Sequence, residues 1–482
     1  MALPFSVNDA LCIFAAARQA PQAVALRTDE RAFTFAQLAR LTEQRLRSAE
    51  LQRSDTTPFV LDGTSSVGTV ITLYALLEQR RPVLLLHPKL TAAERNAALG
   101  AVERGAGTLP RDAALIVLTS GTTGEPRAAV LTRDALLASA AASAANLGWF
   151  DDDCWLLAMP IARVGGLSIL TRCLIARRAV ALAPVFDAAR LPDLMQRHRV
   201  TLASLVPTML ARVLDEHPKW SPPAHLRAVL IGGAAAPAKL LERAALRRLP
   251  VVITYGCTET CSQVVATPYE HRFDAARCGA GRPLPGAQVR VIDGHIEVRG
   301  PMRMAGYAGE APLDPQAWFD TGDLGEFDAE GFLHVKARAG DLIITGGENV
   351  YPAEVERALE AFPGIAAAGV FGVADDTWGQ VVAAALVTRG QLIDERELAA
   401  FLSERLSRHK LPRRICLVPS LPHTPAGKLD RAALPALAAA PGEATDALRS
   451  GRRLPPGPDC PQQGTIRDSG PAKGGSAQEN DP

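Results

Sequence analysis

Short apolar runs alternate with Ala-, Leu- and Arg-rich helical stretches through most of the chain. Residues 83–86, 115–118, 228–231 and 251–254 are apolar, with turn or loop residues nearby, and read as strands. Segments such as 191–199 and 239–248 lie between them and read as helices. Strands alternating with helices predict α/β layers with largely parallel strands. From 287 to 335 the spacing tightens, with Gly and Asp at the turns, which predicts a small antiparallel β region.

The small residues of 337–340 read as a hinge. The pattern then divides the chain into an N-terminal domain (1–337), a hinge (338–340), a smaller α+β C-terminal domain (341–437) and a tail (438–482). The tail is rich in Pro and Gly and poor in large apolar residues. It cannot bury enough surface to offset ordering entropy, so disorder is expected there.

Composition narrows the reading. The 482 residues exceed one ordinary core, so two or more domains are expected. Lys plus Arg (52) nearly balances Asp plus Glu (51), which leaves no global basic footprint for nucleic acid. The Ala-rich segment 135–147 is broken by Ser and reads as a soluble helix rather than a membrane span. The N-terminus has no basic region before its short apolar stretch, unlike a signal peptide. The eight cysteines make no CxxC pair and no zinc-finger spacing, so Cys257 and Cys261 read as core thiols. A cytoplasmic protein without a structural metal is expected.

The chemistry sits in five phrases. In LTSGTTGEPRAAV, a strand runs into Thr119, Ser120, Gly121, Thr122, Thr123 and Gly124, followed by Arg127. Gly lets backbone N–H groups turn toward an anion, hydroxyls add donors, and Arg127 adds charge, so the segment suits polyphosphate. A plain polar turn is the bland alternative, and no GxxxxGK[ST] is present. In YGCTETCSQ, Tyr255 ends a strand, where an aromatic ring can stack on a base. Thr258 can hold a phosphate and Glu259 a Mg²⁺ ion; a helix N-cap would look the same. Upstream, GGAAAP follows another strand and leaves room for a flat ligand. In TGD (321–323), Asp323 can accept both hydroxyls of a ribose or simply cap a turn. In KARAGDLIITGGENVYPAEVE, Arg338 lies at the hinge, and GGEN is a turn before a helix opening at Pro352. In LPHTPAGKLDR, Lys428 sits on a Gly-flanked loop; most such lysines are merely solvated.

Together, in this order and spacing, these phrases resemble the adenylate-forming superfamily of acyl-CoA synthetases, peptide-synthetase adenylation domains and luciferases, over residues 5–434. The resemblance implies that superfamily's α/β fold, with a mobile C-terminal domain. It implies that Thr119 to Gly124 and Arg127 handle pyrophosphate, that Gly233 and Ala234 wall the adenine, and that Tyr255, beside Gly256, stacks on it. Thr258 would meet the α-phosphate, Glu259 the Mg²⁺, and Asp323 and Arg338 the ribose. Lys428 would bridge substrate carboxylate and α-phosphate, while Gly346 and Gly347 would flank a pantetheine tunnel. ATP, Mg²⁺ and coenzyme A are the implied cofactors and substrates. Within the superfamily, LLLHPKLTAAER, LVPTMLARVL and YGCTETCSQVVAT look most like the o-succinylbenzoate–CoA ligases of menaquinone biosynthesis.

Three departures stand out. Arg127 and Ala128 replace the usual Lys and Gly, Gly340 replaces the hinge Asp or Lys, and Arg163 replaces a His in MPIARVGGLSIL, beside Gly165 and Gly166 near the acyl pocket. An Arg there suits an acid with a second anionic group; the alternative is that it turns outward to pair with one of Asp151 to Asp153. Competing functions are ligation of another aromatic or medium-chain acid, loading of a separate carrier protein, and nucleotide binding without catalysis. Retention of Glu259, Asp323, Arg338 and Lys428 argues against the last.

Overall fold

The computed structural model describes residues 10–52, 57–103, 109–120, 126–345, 348–375, 378–390, 393–424, 428–439, 445–446 and 453–454. The apolar run at 83–86 is the strand Val83–Leu86, buried at every position. It lies parallel to Phe59–Asp62 and Ala113–Ser120. Pro126–Thr132 and Gly306–Tyr307 extend that sheet antiparallel. A strand covered on both faces needs no polar alternation, which explains the uninterrupted apolar sequence.

A nine-stranded sheet holds the other apolar runs. Val24–Arg27, Ala179–Leu182, Cys154–Leu157, Leu202–Leu205, Ala228–Ile231 and Val251–Cys257 form its parallel centre. Ala32–Thr34, Ser262–Ala266 and Arg282–Pro283 close it antiparallel. The expected helices are present as Leu191–Arg197 and Ala238–Leu246. The Ala-rich segment is helix Arg133–Leu147, capped by Thr132, whose hydroxyl accepts from the Ala135 N–H. Its small side chains pack against Val164–Ala176, a helix apolar on nearly all sides and buried accordingly. Among the described residues no helix is long and apolar enough to cross a membrane.

The tightly spaced region is a four-stranded antiparallel sheet of Gln288–Ile292, His295–Arg299, Phe319–Phe327 and Leu333–Arg338. The turn Ala339–Asp341 leads out of it. Beyond lies a sheet with its own core, in which Ile365–Asp375 pairs antiparallel with Gly379–Thr388, and Arg414–Leu417 runs parallel to the latter. Helices Pro352–Ala361 and Glu395–Ser403 cover it. Pro352 is at the first helical turn, as expected, where its missing N–H costs nothing. Glu348–Val350 is a strand paired with Ile343–Thr345. Glu348 and Asn349, expected in a turn between a strand and a helix, thus lie in a strand, and Gly346 and Gly347 lie outside the described residues.

The two units touch at Lys239, whose ammonium donates to the carbonyl of Glu360 near the end of helix Pro352–Ala361. A cation is favourable beside those last carbonyls. Most of the tail, 438–482, also lies outside the described residues. Its described parts include two short strands that dock: Thr445–Asp446 beside Arg414–Leu417, and Arg453–Leu454 beside Ile393–Asp394. Backbone pairing at a sheet edge needs no apolar side chains, which composition alone does not reveal.

Leu434 is 0% exposed and packs with Phe371, Ala383, Ala385, Cys416 and Val418. Leu434→Ala should cost about 2–4 kcal/mol, whereas truncation after Ala439 removes only short edge pairings. Thermal unfolding checks this: the substitution should lower Tm by several degrees, and the truncation should leave it nearly unchanged.

Candidate active site

In parallel sheets the strand ends at the carboxyl side converge on a crevice. Ala228–Ile231 and Val251–Cys257 end side by side there. After the first, Gly232 packs so closely that a Cβ would stand 2.3 Å from Thr254 Oγ1, and Gly233 turns with φ +79°. Only glycines permit this course. The adjoining Gly233 and Ala234 are exposed.

At the end of the second strand, the Tyr255 hydroxyl donates to Asp323 Oδ2 (2.8 Å) and lies 2.9 Å from Thr321 Oγ1. Burial, then the Asp323 charge, raises the phenol's pKa far above the ordinary value, so it stays a donor. Arg338 Nη1 donates to Asp323 Oδ1 at 2.8 Å. Gly322, at φ +72°, lets Thr321 and Asp323 face the same ring. Each carboxylate oxygen keeps a second lone-pair site, so Asp323 can still accept two more donors.

The chain next makes the turn Thr258–Thr260, not a full helix. Thr260 pins it: its hydroxyl accepts from Cys257 N–H (2.9 Å) and lies 2.8 Å from the Ser262 carbonyl. Gly256 is required by close approach, since a Cβ would stand 1.9 Å from Ser262 O. Cys261 is buried and Cys257 is half-buried, its thiol raised by burial and then by Glu259. Glu259 Oε1 accepts from the Tyr307 hydroxyl at 2.8 Å. Among the described residues no three His, Cys, Asp or Glu side chains form a metal cage. One carboxylate suits Mg²⁺, which keeps waters and is held largely by nucleotide phosphates.

Thr119 and Ser120 end a strand and pair with Arg127 and Pro126. The intervening candidates Gly121, Thr122, Thr123 and Gly124 lie outside the described residues. Arg127 makes a bidentate contact with Glu310 (Nη2 to Oε1 2.9 Å and to Oε2 2.8 Å) and stacks 3.4 Å over Tyr307.

Lys428 comes from the C-terminal unit. Its backbone closes a loop, with Thr424 N–H donating to Lys428 O at 2.7 Å. The residue is exposed, yet its pKa is lowered, first by desolvation. Asp323 opposes that shift, while Arg338 and Arg163 add to it. Lys428 and these nucleotide-side charges therefore feel one another electrostatically. Arg431, three residues on, pairs with Glu356 (Nη2 to Oε2 2.9 Å) and with Asp341 (3.2 Å) just past Gly340. Arg431 thereby links the segment after Lys428 to the turn Ala339–Asp341.

Arg163 does not turn out to the acidic run. Asp153 binds Arg227 (Nε to Oδ1 2.8 Å) and Asp151 binds Arg178 (2.7 Å). Arg163 Nε is buried with no hydrogen-bond partner among the described residues, and desolvation lowers its pKa. Its charge reaches Lys428 and His87, whose pKa falls through burial and then through Arg163. Gly166 has a packing reason: a Cβ would stand 2.4 Å from Pro160 O, while at Gly165 it would press on Met159 Cε at 3.1 Å.

Sequence reasoning passed over Tyr307, Glu310, His87 and Arg431 as site residues. Tyr307 stands in a two-residue strand without periodicity, and the pairing of Arg431 with Asp341 and Glu356 is long-range.

Known proteins match this arrangement. The AMP-binding enzyme family matches residues 102–308, and the AMP-binding enzyme C-terminal domain matches 354–428. The 2-succinylbenzoate–CoA ligase of Bacillus licheniformis is 36% identical over 465 residues, spanning 85% of this chain and 96% of that ligase. The Bacillus cereus ligase of the same name is 40% identical over 335 residues, 67% of this chain and 69% of its own length. Among solved structures, the o-succinylbenzoate CoA synthetase of Bacillus subtilis in complex with its acyl-adenylate intermediate superposes with TM-score 0.79 at 32% identity, covering 88% of this chain and 97% of that one. ATP-bound MatB from Rhodopseudomonas palustris gives 0.78 at 26%, covering 89% and 98%. With both family regions matched and a 36% identical relative covered almost end to end, the chain belongs to the AMP-binding enzyme family.

Proposed function

We propose that this chain is an ATP-dependent acid–CoA ligase that works through an acyl-AMP, and that its acid is o-succinylbenzoate. The observation that carries the reading is the hydrogen-bonded set of Tyr255, Asp323 and Arg338 beside the Glu259 turn, to which the C-terminal unit would bring Lys428. The names of the Bacillus relatives support the choice of acid.

A carboxylate is a poor electrophile because its oxygen is a poor leaving group. In the first step its oxygen attacks the α-phosphorus of ATP, the bond to the bridging oxygen breaks, and pyrophosphate leaves. The protein's task is positioning and charge neutralisation. Tyr255 offers its ring to the adenine, and Asp323 and Arg338 hold the ribose. Thr258 donates to the α-phosphate, and the 119–124 segment with Arg127 receives the pyrophosphate. Lys428 spans the attacking carboxylate and the α-phosphate. Magnesium held by Glu259 would neutralise phosphate charge. In the second step the coenzyme A thiol attacks the acyl carbonyl beside Gly346 and Gly347, and AMP departs. That step needs Lys428 withdrawn by rotation about 338–340.

Arg163 supports the choice of a diacid. Arg163 is half-buried, and its Nε is buried with no hydrogen-bond partner among the described residues, so a substrate carboxylate would give the charge a partner. A fatty tail would offer none.

Lys428→Ala should abolish acyl-AMP formation and largely spare thioester formation from pre-made acyl-AMP; equal loss in both half-reactions would refute its role. Lys428 acts protonated, and its lowered pKa means the proton is lost earlier as pH rises than from an ordinary lysine. The alkaline limb of kcat/KM for ATP, which reports the free enzyme, should therefore fall below the usual lysine range, and Lys428→Arg should move it upward.

Arg163→Met should weaken kcat/KM for o-succinylbenzoate by roughly 30-fold, about 2 kcal/mol for a lost charged pair. It should spare benzoate, which has no second carboxylate to lose a partner. Wild-type turnover of a medium-chain fatty acid without turnover of the diacid would overturn the assignment.

Gly340 sits in the exit turn with open space where a Cβ would stand. Proline there removes the φ freedom a rotation needs, so Gly340→Pro should slow thioester formation more than adenylation. Equal effects on both, measured separately, would place the hinge elsewhere.

A further inference from the structure

Tyr307 is absent from the roles above, yet it bridges two charged groups of the site. Its strand, Gly306–Tyr307, is the edge of the five-stranded sheet and pairs with the strand carrying Arg127 (Tyr307 opposite Ala129). Its hydroxyl reaches across to Glu259 Oε1 at 2.8 Å. Its ring face is covered by the Arg127 guanidinium at 3.4 Å. Arg127 is in turn gripped by Glu310 through Nε and Nη2. The backbone reinforces this, because Met304 N–H donates to the Glu259 carbonyl at 2.7 Å. Glu259 therefore hangs from a three-residue turn, with its carboxylate steered by a phenol that is itself clamped by an ion pair.

The geometry points to Tyr307 as the positioning residue of the Glu259 carboxylate. It fixes the rotamer in which one oxygen is held and the other is offered to the metal that accompanies ATP. The inference rests on the adenylating reading and deepens it. A free glutamate side chain samples several rotamers and loses that freedom on binding an ion. A phenol that holds one oxygen in advance removes part of that loss, which is preorganisation rather than added attraction. The phenol suits the task because it is uncharged. A phenol is protonated through the neutral range, so it donates there without competing for the metal as a cation would. Arg127 on the ring face and Glu310 behind it prevent the ring from swinging away. Among the described residues Arg127 Nη1 makes no hydrogen bond, so the same guanidinium keeps a donor for phosphate.

The test is a thermodynamic coupling without turnover. ATP affinity is measured by calorimetry in EDTA and in saturating Mg²⁺, with no acid present, for wild type, Tyr307→Phe, Glu259→Gln and the double variant. Phenylalanine keeps the ring under Arg127 and removes only the hydroxyl. Tyr307→Phe should leave ATP affinity in EDTA unchanged and shrink the Mg²⁺ enhancement by about tenfold. In the Glu259→Gln background the same change should add nothing, because Tyr307 acts through that carboxylate. Thioester formation from pre-made acyl-AMP, which needs no metal, should match wild type. An unchanged Mg²⁺ enhancement, an equal loss in the Glu259→Gln background, or an equal loss in the thioester step would each overturn the assignment of Tyr307. If wild type itself bound ATP no tighter with Mg²⁺ and released no pyrophosphate with any acid, the adenylating reading would fall, and the inference with it.

Discussion

The proposed chemistry depends on bringing the charge of Lys428, carried by the C-terminal unit, to counter-charges that belong to a different unit of the chain. Desolvation there acts against the ammonium and Asp323 acts for it. Such a charge is comfortable only while an anion is near. Nothing within the C-terminal unit needs to supply that anion, because the attacking carboxylate and the α-phosphate can. The same argument explains why a hinge helps. On the proposed reading, a lysine suited to a dianionic first step would obstruct once pyrophosphate has gone, and the Arg431–Asp341 contact links the segment after Lys428 to the turn after Arg338.

Arg163 repeats this logic on the acyl side. Its Nε is buried and unpartnered among the described residues, while Asp151 and Asp153, the nearby acids in sequence, are engaged elsewhere. On the proposed reading this position would favour an acid with a second carboxylate, because an acid lacking that group leaves the cation without a partner. The neighbouring His87, pushed toward neutrality by burial and by Arg163, adds polarity without a competing charge.

Much of this was legible in the sequence because local chemistry dictated it. Apolar runs such as 83–86 and 228–231 became strands buried on both faces, and Pro352 opened a helix. Tyr255, Asp323 and Arg338 carried recognisable types at recognisable places, and the structure joins them through direct hydrogen bonds. What the sequence concealed depends on long-range pairing. The Tyr307 bond to Glu259 spans 48 positions and the Arg127 contact with Glu310 spans 183, distances over which no periodicity operates. Two glycines that the sequence sets beside expected ligand contacts are also required by packing: backbone lies against Gly166 and Gly256. The docked tail strands were hidden because edge pairing uses the backbone, which is the same for every composition.

The central claim is that this cleft adenylates a diacid before any thiol is engaged. The most direct measurement is a single-turnover quench of wild type with ATP, Mg²⁺ and o-succinylbenzoate. Without coenzyme A, pyrophosphate should appear in an amount equal to the enzyme while AMP stays bound as acyl-AMP; added coenzyme A should then release AMP and form the thioester. AMP and thioester appearing with no prior pyrophosphate burst, or pyrophosphate with o-succinylbenzoate no greater than with no acid, would contradict the account.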